Sequence, residues 1–315
     1  MFQVELDIFS GVRNPQWFLT EEEGRELIAR LEGDPDQISP VATEEESFGL
    51  GYRGFIVRVS KPHADTWRQI QTKFPYPLPR EFRVGSKPAR DGSSIADWLL
   101  DTSARRYGLD DELRAAASRG VTLVEPNPES GNEGDSTQLP ATESEDPNEE
   151  MRGYTWYKPC SSAIYLDDRA EFNSNTNRPK TNCYCFACSD LFGGRYAYPG
   201  AYGGKPAAYI TVDDIRGALY TDGWADNCQP RSLTIAAAVW PGQDYHFYRL
   251  LSGSPEWLWA HKPGSTAATV YDNSGVTIKG AFPLFMSPKN CDRGYYTDFV
   301  GWFYQDYYAA HCQEL

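Results

Sequence analysis

Between Glu125 and Met151 the chain carries nine carboxylates and four prolines, with no lysine, no arginine and no aromatic residue. Pro126, Pro128, Pro140 and Pro147 each lack the amide hydrogen that a helix interior or a central strand requires. Like charges repel along the stretch, and too little apolar surface is present to offset the entropy of ordering it. The segment therefore reads as an acidic linker over residues 125–152. It divides the chain into a small accessory or binding domain over 1–124 and a second domain over 153–315.

The first part has the pattern of a small α+β domain. Val4 to Phe9 alternates as a half-buried strand, and Gly54 to Val59 reads as a second one. Thr20 with Glu23 three residues on has capping-box spacing ahead of a helix with an apolar stripe of Leu27, Ile28 and Leu31. Pro62 opens a helix through Trp67 and Ile70, Ser94–Tyr107 and Asp110–Ser118 read as helices, and Val121–Val124 as a last strand. The string from Phe9 to Trp17 reads as a strand end, a tight turn and an anchoring tryptophan, or alternatively as a partner-binding loop. His63 has no cysteine or second histidine in its half, so no catalytic set can be assembled before the linker.

Several functions are excluded by composition. The formal net charge is −14 and the basic residues are scattered, which leaves no cluster to neutralise phosphates and argues against nucleic-acid binding. No apolar run reaches the roughly 18 residues of a membrane span. The opening residues Met1–Asp7 lack the basic and unbroken apolar regions of a secretory signal, so a cytoplasmic setting with reduced thiols is slightly favoured, and export by a non-standard route stays open. Seven cysteines, all in the second part, leave at least one unpaired in a monomer.

The second part is aromatic-rich, with strand patterns at Ser162–Leu166, Leu233–Trp240, Tyr245–Leu250 and Trp257–His261, and helices over Cys183–Leu191 and Asp213–Tyr220. Thr181 or Asn182 can cap the helix that begins at Cys183, where unpaired backbone N–H groups favour a thiolate. A nucleophilic cysteine needs a base, and His246, His261 and His311 are the candidates. A four-residue loop Ser252–Pro255 would place His246 directly opposite His261 on one face of a hairpin, close enough for one ring to orient the other. His246 would take the thiol proton and return one to the leaving group. Asp272 or Asn273 is the substitute orienter, the Cys183 backbone N–H one oxyanion donor, and Asn177 a candidate second.

The order of cysteine, histidine 63 residues on and a polar residue 15 further resembles the papain-like cysteine hydrolases, most closely their NlpC-type wall-peptidase branch. The resemblance covers Thr181 to Gly264, with Asn182-Cys183-Tyr184 standing where that family usually has Asp-Cys-Ser. It implies a papain-like α+β domain with an antiparallel sheet, a peptide, amide or ester substrate, and catalysis by Cys183, His246 and His261. No cofactor is implied. Other readings of the cysteines remain. Cys183, Cys185 and Cys188, with Cys160 or a histidine, have a spacing that could hold zinc, although no second paired knuckle accompanies them and no metal site is assigned. They could instead bond to Cys160, Cys228, Cys291 or Cys312. The alternative to a hydrolase or acyl transferase is thus a non-enzymatic, disulfide-stapled binding or toxin-like protein with an aromatic recognition surface. The N-terminal domain would bind substrate or a protein partner.

Overall fold

Two antiparallel sheets of four strands each organise the computed structural model, which describes residues 1–41, 49–60, 64–87, 94–124, 160–280 and 286–315. The acidic stretch, together with His63, lies outside the described residues. The first sheet has the order β2-β1-β3-β4, with β1 at Phe2–Leu6, β2 at Gln16–Phe18, β3 at Phe55–Val59 and β4 at Glu81–Val84. Helices α1 (Glu21–Gly33), α2 (Ala64–Gln71), α3 (Ile95–Arg106) and α4 (Asp111–Val124) complete this half. The α1 start is the expected capping box: Thr20 Oγ1 accepts from the Glu23 N–H at 3.1 Å, and Glu23 Oε2 from the Thr20 N–H at 2.8 Å. Val121–Val124, expected as a strand, is instead the end of α4, continuing the helix whose buried face holds Leu113, Ala116, Ala117 and Val121.

The second half contains α5 (Arg169–Asn173), α6 (Cys183–Cys188) and α7 (Val212–Thr221), then β5 (Ser232–Trp240), β6 (Asp244–Leu250), β7 (Trp259–His261) and β8 (Asp298–Asp306). Its sheet has the order β7-β6-β5-β8. Ser162–Leu166 makes only an isolated bridge, from Ala163 to Ser232, on the β6 edge of β5 beyond the last β5–β6 pair, Ile235 with Arg249. Helix α6 ends three residues before the expected Leu191, since Ser189 turns left-handed at φ 55° and caps it. The whole is a mixed α+β fold. Among the described residues, no helix is long and apolar enough to cross a membrane.

Alternation along β5 gives its sheet two buried faces. Ile235, Ala237 and Val239 join a cluster with Phe247 of β6 and with α6 and α7, whereas Ala236, Ala238 and Trp240 point the other way. That second face belongs to the same apolar cluster as Val4, Leu6, Leu27, Leu99 and Val84 of the N-terminal half. Trp240 packs edge-on against Phe9, stacks on Tyr295 at 4.7 Å between centroids, and donates from Nε1 to Glu112 Oε1 at 2.8 Å. Burying one such side chain contributes about 2–3 kcal/mol. Polar contacts cross the same boundary. Glu5, fully buried in β1, meets Arg58 at 2.5 Å and Arg195 of the second half at 3.0 Å.

Inside the first half, Asp7 lies between Arg53 and Arg83, each guanidinium 2.7 Å from a carboxylate oxygen. Burial alone would raise the Asp7 pKa, but the two cations hold it well below the usual carboxylate range. Arg53 also donates to the carbonyls of Gly51 at 3.0 Å and Phe9 at 2.5 Å. Asn14 Oδ1 accepts from the N–H groups of Ile8 and Phe9 at 3.0 and 2.8 Å. Together these contacts fix the turn after β1 and aim Ser10, Gly11 and Val12 at the second sheet.

Candidate functional site

The candidate nucleophile follows its cap directly. Asn182 Oδ1 accepts from the N–H groups of Tyr184 and Cys185, both at 3.1 Å, and its Nδ2 donates to Gly11 O at 3.0 Å and Ala197 O at 2.8 Å. Cys183 therefore opens α6, as the sequence suggests, and it is not in a disulfide. The thiolate expected from that position does not follow. Cys183 is fully buried, with its Sγ 3.7 Å from Tyr245 O. Burial and the nearby Asp244 carboxylate push its pKa well above the ordinary thiol value, against weaker opposing contacts from the Phe247 N–H and the Ser10 hydroxyl. A helix of six residues has too small a dipole to offset that loss of water.

The histidines meet, but through a different register. Tyr248, not His246, stands opposite His261, and Leu250 opposite Trp259. The loop is two residues longer than expected because Leu251 still bonds to Leu258 O, at 2.7 Å, while Ser252 Oγ accepts from the Leu258 N–H at 3.2 Å. A shift of two preserves the face of every side chain. His246 consequently reaches His261 diagonally, with Nε2 2.8 Å from Nδ1 and the rings almost perpendicular at 89°.

The network assigns the tautomers. His261 Nε2 is 2.8 Å from Tyr271 O, and a carbonyl can only accept, so that nitrogen carries the hydrogen. His261 Nδ1 then accepts from His246 Nε2, which leaves His246 Nδ1 to accept from the Ser10 hydroxyl at 2.9 Å. Both rings are neutral in this arrangement. Burial lowers the His246 pKa well below its ordinary value and brings that of His261 down to about 4. Every ring nitrogen of the pair is thus engaged by a group other than Cys183.

Ser10 is the residue that sequence reasoning left without a role. Its N–H and those of Gly11 and Val12 converge on the Asp244 carboxylate, at 2.6, 3.1 and 2.8 Å for the shortest contact of each, and Tyr296 donates to the same group. Burial raises the Asp244 pKa, although the Tyr296, Val12, Ser10 and Gly11 donors pull it down. Gly11 is required here, since a Cβ at that position would overlap the Tyr245 ring. The only signal in the sequence was the Phe9–Trp17 string itself, which the structure makes an internal docking turn.

The remaining candidates are engaged elsewhere. Asp272 accepts from the N–H groups of Ser274, Val276 and Asp292 at 2.9–3.0 Å, and its neighbour's carbonyl, not its carboxylate, holds His261. Asn273 pairs with both backbone groups of Leu50, at 2.6 and 3.0 Å. Asn177 Nδ2 donates to Glu171 O at 3.0 Å, and His311 lies on the C-terminal tail 3.4 Å from Asp190. Lys262, given no role by its pattern, is fully buried and donates to the carbonyls of Arg178, Thr181 and Gly264 at 2.9, 2.7 and 2.6 Å. Burial brings its pKa down to about 7.

Cys160 and Cys228 are joined by a disulfide, so the all-reduced expectation does not hold. The other five cysteines are unpaired and buried. Among the described residues, no group of three or more His, Cys, Asp or Glu side chains could hold a metal ion.

No family model matches the chain, and no solved structure matches it. Over 146 residues it is 35% identical to the "Insoluble matrix shell protein 1" of Ruditapes philippinarum, a match that covers 45% of this chain and 89% of that protein.

Proposed function

The chain belongs to the family of insoluble matrix shell protein 1, and on that premise we propose that it is a non-catalytic, disulfide-stapled structural component of an insoluble matrix. One observation carries the reading. Cys183, His246 and His261 are all fully buried, and the hydrogen-bonding capacity of both imidazoles is consumed within the protein. Acyl transfer requires a thiol that a substrate can reach and a base with a nitrogen to spare. Here the chain of donors runs from Ser10 through both rings to a backbone carbonyl, which is how a satisfied structural core looks. Exposed aromatic side chains, among them Phe192 at 95% and Tyr76 at 81%, supply contact surface for neighbours in such a matrix. Alkylation of the native protein tests the reading. Cys183 stays unlabelled by iodoacetamide until the protein is denatured, and in its source the chain is recovered in the residue left after salt and detergent extraction. Stoichiometric native labelling of Cys183 that disappears in His246→Ala overturns it.

A second reading, a cysteine hydrolase or acyl transferase acting on an amide or ester, is favoured by one contact. The Ser10 hydroxyl lies 2.9 Å from His246 Nδ1 and 3.1 Å from Tyr245 O, the carbonyl that also faces the Cys183 sulfur at 3.7 Å, so it occupies the place of a proton path between thiol and ring. For that chemistry Ser10 must withdraw and free His246 Nδ1 to take the thiol proton. Ser10→Gly is the discriminating variant: peptide or ester hydrolysis gained in it, and lost again on adding Cys183→Ala, supports this reading. Inactivity of Ser10→Gly supports the structural one.

A further inference from the structure

Three thiols that neither reading uses lie together beneath the C-terminal tail. Cys185 and Cys188 belong to α6, and Cys312 lies near the end of the chain, with the Cys185 and Cys312 sulfurs 3.5 Å apart. Cys188 lies one turn of α6 after Cys185. Gly193 leaves the space for this approach, since a Cβ there would overlap the Cys312 sulfur and come within 3.0 Å of that of Cys185. The tail is otherwise held by burial of Ala310 and Cys312 in the apolar cluster and by polar contacts that include Tyr198 N–H to Gln313 O at 2.8 Å, Tyr196 N–H to Glu314 Oε1 at 2.8 Å, and Cys312 N–H to Asp190 Oδ2 at 3.3 Å.

We propose that Cys185 and Cys312 are the site of a second disulfide, formed by exchange with a small-molecule disulfide, that staples the C-terminal tail to α6. The sulfurs need to approach by only about 1.5 Å to reach bonding distance. Cys312 is the entry thiol, because it lies outside every helix and strand of the described residues, in a segment after β8 that can open without unfolding the sheet. Its thiolate attacks one sulfur of the small disulfide RSSR, which gives a Cys312 mixed disulfide and releases RS⁻. The Cys185 thiolate then attacks the Cys312 sulfur and expels the second RS⁻. The two protons lost by the cysteines end on the two released thiols, and the two electrons reduce RSSR. Burial raises the pKa of both thiols, so the exchange is slow at neutral pH and accelerates as the solution becomes alkaline. The site is independent of how Cys183 is read.

The test uses the full chain with oxidised glutathione at mildly alkaline pH, followed by alkylation, non-reducing digestion and mass spectrometry. The expected product is a Cys185–Cys312 linked peptide, with the free thiols falling from five to three. Closing so long a loop raises the melting temperature by about 5–10 °C. That rise is lost in Cys185→Ser and Cys312→Ser and kept in Cys188→Ser. Recovery of Cys312 as a thiol, as a glutathione adduct, or linked to Cys188 overturns the proposal, and this result is read on the unmutated chain whatever the variants do.

Discussion

Asp7 and Asp244 are both fully buried carboxylates, one inside the first sheet and the other where the two halves meet. Asp7 is neutralised by two guanidiniums and its pKa is driven down. The hydrogen bonds to Asp244 come from uncharged donors, three consecutive N–H groups and a tyrosine hydroxyl, and its pKa goes up. Equal burial therefore gives opposite protonation preferences, decided by whether the partner carries charge. The first arrangement keeps its charge throughout the neutral range. The second, joined to two neutral histidines through the N–H and the hydroxyl of Ser10, places pH-sensitive groups at the junction.

The difference can be broken from either side. Asp7→Ala leaves two buried guanidiniums without their counter-ion and should cost about 3–5 kcal/mol in urea unfolding. A loss below ~1 kcal/mol would mean that water reaches the pair. Acid acts next, on the junction. His261 stays neutral in the folded chain down to about pH 4, whereas an unfolded histidine takes its proton near 6.5. Between those values the unfolded chain binds more protons, so stability falls as the pH drops through that window, by about 3 kcal/mol. His246 adds to the loss in the same direction. Unfolding curves at several pH values measure this, and His261→Gln, which can still accept from His246 and donate to Tyr271 O, should flatten the slope.

Asp244→Asn should be milder than Asp7→Ala, at about 1–3 kcal/mol, because the amide oxygen still accepts from part of the turn. Since the Asp244 pKa is raised, the unmutated fold loses stability as pH climbs from 3.8 towards that higher value, and the amide variant should not. Ser10→Ala removes only the hydroxyl and should cost about 1 kcal/mol. Its decisive readout is the His246 Nδ1 nitrogen shift, which must change if the assigned tautomer is correct. The smallest effect is expected from cutting the chain at a protease site inserted between Glu125 and Met151. The two halves should co-elute in gel filtration, held by the shared apolar cluster and the Asp244 contacts.

What the sequence revealed was local. Thr20 and Glu23 are three residues apart and their capping box needs nothing else, so it could be read directly. β5 and β6 were legible because an apolar run in the first and closely spaced aromatic residues in the second extend over most of each strand. The strands β2 and β4, of three and four residues, are too short to show a period, and β8 escaped notice with Gly301 inside it facing a bulge at Ala237 and Ala238. The hairpin register turns on the Leu251–Leu258 backbone bond and the Ser252 hydroxyl beside it, which alternation cannot reveal. Cys183 could be placed at its helix start, yet its environment could not, because the burial that raises its pKa comes from residues far away in the chain. Nothing in Ser10-Gly11-Val12 announces a carboxylate 232–234 positions later.

That separation also has a temporal side. A ribosome adding roughly 5–20 residues per second needs about 10–50 s to travel from Ser10 to Asp244. For that interval the turn after the first strand has been made but its acceptor has not. The nascent N-terminal half must wait with three amide hydrogens and the flank of Phe9 uncovered, and the last step of its maturation belongs to the second sheet.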